Sequence, residues 1–144
     1  MGIRETLQNA LMNANNERIK WHDTVQNYDN VLVSLKANLQ RAETKKAGTD
    51  SVHKTASDEY HALLAHSNAL KDQSAQQALS FELENLSRNV NFTVGVVQTA
   101  GEEVRQQQRK VEEIQTLRAS AWISLTAATE RWEQIKKQIE DLNR

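Results

Sequence analysis

Four histidines, His22, His53, His61 and His66, are the first residues in this chain whose type suggests metal or acid–base chemistry. Helical metal sites place their ligands three or four residues apart, so that the side chains share a face. His61 and His66 are five apart, about 140° around a helix, and do not. Asp58 and His61 do share a face. A carboxylate-bridged metal bundle requires two such acid–histidine pairs with further carboxylates facing inward, and no second pair occurs. The histidines therefore read as solvated helix surface. A metal-binding bundle would require His22 or His61 to turn inward beside carboxylates.

Acidic pairs stand at Glu102-Glu103, Glu112-Glu113 and Glu140-Asp141, interleaved with Arg105, Arg109, Lys110, Lys136 and Lys137. General acid–base work needs two carboxyl groups converging on a cleft with separated pKa values. Ion pairing along a helix surface accounts for these pairs without it. The chain has no cysteine, no glycine-rich phosphate loop and no G-x-S-x-G element. No catalytic residue, cofactor site or metal-ligand set is predicted, no small-molecule substrate is evident, and the chain does not read as an enzyme.

The 144 residues carry a formal net charge of −1, with no basic stripe of the kind nucleic acid requires. The densest basic run, Arg105 to Lys110, is followed at once by two glutamates. No apolar run approaches the roughly 18 residues of a membrane span. Gly2 and Thr6 match a myristoylation pattern, but no polybasic second anchor follows. Without the apolar core of a signal peptide, the expected location is cytoplasmic, with export by a route that needs no cleaved signal left open. The sequons at Asn85 and Asn91 then carry no weight.

There is no proline, and glycine occurs only four times, which permits helix nearly from end to end. From Leu11 to Ala42 apolar residues recur at alternating steps of three and four, with Arg18 the only charged member. Lys45-Lys46-Ala47-Gly48-Thr49-Asp50 combines a C-terminal glycine signal with candidate N-caps, and predicts a break. Val52, Ala56, Tyr60, Leu63, Ser67 and Leu70 make a second stripe. After the polar patch 71–77, which reads as helical but weakly packed or kinked, it resumes with Leu79, Leu83, Leu86 and Val90. Thr99 with Glu102 fits a capping box and predicts a second break. A third stripe runs from Val104 to Leu142.

The expected fold is all-α: an elongated up-down-up three-helix bundle with coiled-coil-like packing, residues 1–144 forming one domain with helices at about 3–46, 51–98 and 101–143. That threading puts Trp21, Phe81 and Trp122 at one level. A longer helical hairpin that dimerises through an exposed stripe is the alternative. Between Asn89 and Val97 the residues Val90, Phe92, Val94 and Val96 alternate with polar or small ones, a strand's period. With no second strand to pair it, helix is favoured, and an intermolecular strand pair is the exception.

Trp122 and Ile123 sit among small and apolar neighbours while Ala121 and Leu125 already serve the stripe. They are candidates for partner binding if they face outward, with core packing the competing reading. Phe92 and Val94 are the other two candidates. Tryptophans in the first and third helices resemble spectrin-like repeats in a general way only. The predicted helices are longer and no other motif position matches, so no family assignment follows. The functional expectation is a non-catalytic protein–protein interaction or assembly module, acting on another protein or by self-association. The alternatives are a secretion-type chaperone or exported helical protein that grips a partner through an apolar stripe, and the metal-binding bundle above.

Overall fold

A computed structural model describes residues 2–144 and contains two helices, α1 (Ile3–Ala69) and α2 (Gln73–Leu142). The all-α class is as expected, and so is helix through residues 89–97. The element count is not: there are two helices where three were predicted, and neither proposed break exists. α1 runs through Gly48, and α2 runs unbroken from Thr99 to Glu103. The described residues thus form two long helices joined by one turn.

The capping residues at the proposed breaks are used inside the helices instead. Thr49 donates its hydroxyl to the Lys46 carbonyl at 2.8 Å, and Lys46 pairs with Asp50 at 2.9 Å, one turn along. Gly48 keeps an ordinary helical backbone, since no glycine among the described residues has positive φ. Thr99 donates back to the Gly95 carbonyl at 3.0 Å, so its oxygen does not cap a new helix. With those signals consumed locally, continued burial of the stripe decides the matter.

The chain reverses instead inside the polar patch that was read as a helical kink. Leu70, Lys71 and Asp72 are the only non-helical residues between α1 and α2. Asp72 caps α2: its carboxylate accepts the Ser74 N–H at 3.0 Å. Gln76 reaches back with its side-chain amide to the carbonyls of Leu70, at 2.8 Å, and Ser67, at 3.3 Å. The Leu70 carbonyl is thus satisfied from α2, and the Ser67 carbonyl, which already accepts the Leu70 N–H at 3.1 Å, gains a second donor. This turn needs neither glycine nor proline, which is why it lacked the usual turn signals.

The frame set by Leu7, Leu11 and Ala14 continues at strict four–three steps to Ser67 and Leu70, with Arg18, Lys46, Thr49, His53 and Ser67 among its polar members. α2 keeps the same discipline from Gln76 to Leu142, through Thr93, Gln107 and Arg118. That is the a/d spacing of helices that pack side by side.

The packing divides into two compact units. In one, Ala37–Gln108, the halves of the two helices next to the turn lie antiparallel, and Ala42, Ala56, Ser67, Thr93, Ala100 and Val104 are buried. Small seam residues such as Ala56 and Ala100 let the backbones approach closely, which brings the residues flanking the seam beside one another. Lys45 and Glu103 form one such flanking pair, at 3.4 Å.

The other unit joins Met1–Lys36 to Arg109–Arg144, also antiparallel, around Ala14, Val25, Leu32, Val111, Ala121 and Ala128. Here Arg118 binds Asp29, Glu17 pairs with Arg131 at 3.2 Å, and the Arg18 guanidinium lies 4.8 Å from the Trp132 ring centre. Arg18, the one charged member of the first stripe, is thus accommodated by stacking on an aromatic face. The three-aromatic layer does not form: Trp21 and Trp122 belong to this unit, whereas Phe81 lies in the first and is exposed.

Candidate partner-binding flanks

Position along the seam settles where each predicted site residue points. In the unit 37–108, Phe92 is 71% exposed, on the flank that also carries Val96 and, from α1, Val52 at 60% exposed. Sequence reasoning assigned Val52 to the stripe. The structure gives that place to His53 and turns Val52 outward. The signal that would have shown it is phase: Ala42 and Ala56 are two whole heptads apart, and counting from either makes His53 the seam residue.

Val94, two residues from Phe92 and therefore about 200° around the helix, lies on the opposite flank. It is less exposed, at 36%. Trp122 and Ile123 belong to the other unit, where both face outward and the Arg118 guanidinium lies 5.6 Å from the Trp122 ring centre. The four candidates are therefore not one surface. Phe92 acquires an apolar neighbour, Val52, from the facing helix.

Those neighbours form a groove. Its deeper part, about 350 Å³, is lined by Gly48, Thr49, Val52, Phe92 and Val96, with Lys45 at the rim. A contiguous hollow of about 470 Å³ extends past Gly95 to Thr99 and Ala100. A side-chain methyl built on Gly48 or Gly95 would meet no atom within 4 Å, so both glycines leave open space. From Asn89 to Gly101 no residue of α2 is charged. Further toward the turn, a hollow of about 450 Å³ is lined by Glu59, Ala62, Leu63, His66, Glu82 and Leu86.

The histidines do not assemble a metal site. His22 is exposed beside Asp23, and His61 is exposed with its ring edge-on to Tyr60. Neither turns inward, as the metal-binding reading requires. No group of three or more potential metal ligands occurs among the described residues.

His53 has a different role. Its Nδ1 lies 2.8 Å from the Thr93 hydroxyl, across the seam. The Thr93 hydroxyl also lies 2.9 Å from the Val90 carbonyl of its own helix, so it links that turn of α2 to the His53 ring. This bond ties the two helices at a half-polar layer. Thr93→Val keeps the shape and leaves the His53 Nδ1 without its partner across the seam. The expected cost is about 1–2 kcal/mol in denaturant unfolding, with no change in helix content.

No helix among the described residues has a stretch long and apolar enough to cross a membrane. No protein-family model matches the chain, and neither does any curated protein or solved structure.

Proposed function

We propose that this chain is a non-catalytic assembly module, a helical hairpin that acts by associating with other helices through apolar flanks outside its own seam. The observation that carries this reading is the groove of Val52, Phe92 and Val96. These three residues are surplus to the hairpin's own interface yet gathered from both helices onto one flank. Contiguous exposed apolar surface on a soluble fold is ordinarily a contact surface.

The chaperone-like alternative uses the same groove for an extended or helical segment of another protein. The uncharged stretch 89–101 favours it equally.

Light scattering between about 1 and 100 μM, together with binding of a dye that fluoresces on apolar surfaces, tests the reading. Association, or a dye-binding monomer, is expected. A protein that stays monomeric throughout that range and binds no dye overturns it.

A further inference from the structure

We infer that the occupant of the Val52–Phe92–Val96 groove is a second copy of this chain, docked antiparallel about a two-fold axis that passes beside Val52 and Val96. The inference rests on the assembly reading above and specifies its partner. A two-fold interface presents the same surface twice, so the flank must complement itself when turned end for end.

The charges do this. On the flank, α1 presents Lys45, Val52 and Glu59 at successive heptad positions, with the apolar residue central. Reversing a second copy about Val52 sets Lys45 of each copy against Glu59 of the other. Glu59 and Glu82 line the hollow nearer the turn, and neither has an ion-pair partner among the described residues. An acidic hollow at one end of the flank thus meets a lysine from the other end, twice over.

Shape follows the same operation. On α2, reversal about Val96 puts Phe92 of one copy at the level of Ala100 of the other. The hollow there runs from that copy's own Phe92 past Gly95 and Val96 to Thr99 and Ala100, with Lys45 and Thr49 from α1, and its size of about 470 Å³ accommodates a second phenyl ring. Gly48 and Gly95 keep the approach clear. Each copy therefore offers one aromatic knob and one hollow, related by the symmetry that pairs the charges. The result over these segments is an antiparallel four-helix arrangement, which covers the uncharged face of α2.

Because the chain contains no cysteine, a single introduced thiol reports on the axis directly. Val52→Cys is expected to give a disulfide-linked dimer on mild oxidation, whereas Val94→Cys, on the opposite flank, is not. Lys45→Glu and Glu59→Lys each reverse two intermolecular pairs, Lys45→Glu also removing the exposed 3.4 Å contact with Glu103 of its own chain, and both are expected to weaken self-association roughly tenfold. An equimolar mixture of those two variants restores attraction at both positions, and is expected to recover a dimer that neither forms alone. Phe92→Asp, at an exposed position, is expected to abolish the dimer with helix content unchanged.

An assembly indifferent to Phe92→Asp, to the charge reversals and to their mixing overturns the inference, as does a Val52→Cys protein that does not cross-link. A dye-binding monomer also overturns it but leaves the assembly reading standing, with another protein as partner. A monomer that binds no dye removes both.

Discussion

Gly101→Pro is expected to destabilise the protein by about 3 kcal/mol or more, lowering the thermal midpoint by roughly 10 °C for a chain of this size. Gly101 lies well inside α2 and is buried against α1. Proline there removes an N–H from the helical ladder and drives its ring into the carbonyl one turn back. Gly101→Ala should do the opposite and stabilise by about 1 kcal/mol, the helix-propensity difference. Its methyl group would meet the ends of the Arg105 and Lys46 side chains at 3.7 Å, an ordinary contact that those flexible chains accommodate.

The pair of substitutions discriminates between architectures because the capping-box reading puts Gly101 in the first turn of a third helix. There a proline is tolerated and often favoured. Thermal unfolding followed by circular dichroism, at one fixed protein concentration, reads the result. A fixed concentration matters because any association with a second copy would add its own stabilisation. A Gly101→Pro protein with an unchanged midpoint would contradict the continuous helix.

The helical class was legible because it depends on composition: a chain without proline and with sparse glycine offers no competing backbone. The seam was legible piecewise, wherever it is apolar. What failed was continuity, and the reason is visible at Lys46, Thr49 and His53. These residues occupy seam positions but read as polar interruption, and they coincide with Gly48 and two capping candidates. Local signals then outweighed phase, although Ala42 and Ala56 are in register across the gap.

The true reversal had the converse problem. Lys71-Asp72 contains one cap residue and no breaker, and its strongest contribution, the Gln76 amide on the Leu70 and Ser67 carbonyls, is tertiary. Phe92 was found because four β-branched or aromatic residues in alternation attract notice. Val96 stands in the same alternation, but Val52 was not grouped with them, since it shares their flank only once two distant stretches of chain are brought side by side.

A one-residue insertion makes the same distinction with a larger effect. One alanine added after Gly48 turns the rest of α1 by about 100° relative to the part before it. Thr49, His53, Ala56, Tyr60, Leu63 and Ser67 would leave the seam together, and the His53–Thr93 bond would be lost with them. Burial of a medium apolar side chain contributes about 1.5–3 kcal/mol, so displacing this set costs on the order of 5 kcal/mol. The helix ladder itself stays intact, so the cost falls on packing.

The same alanine placed after Lys71 lengthens a turn that already exposes Lys71 and Asp72. Loop closure grows only slowly with length, and the expected cost is under about 1 kcal/mol. Denaturant unfolding of the two insertion variants should therefore differ by several kcal/mol, the Gly48 variant being the weaker. A chain with its breaks at 47–50 and 99–101 and a helix through 71–77 would show the reverse order. The ranking of two otherwise identical insertions thus tests the continuous seam, on which the flank of Val52, Phe92 and Val96 depends.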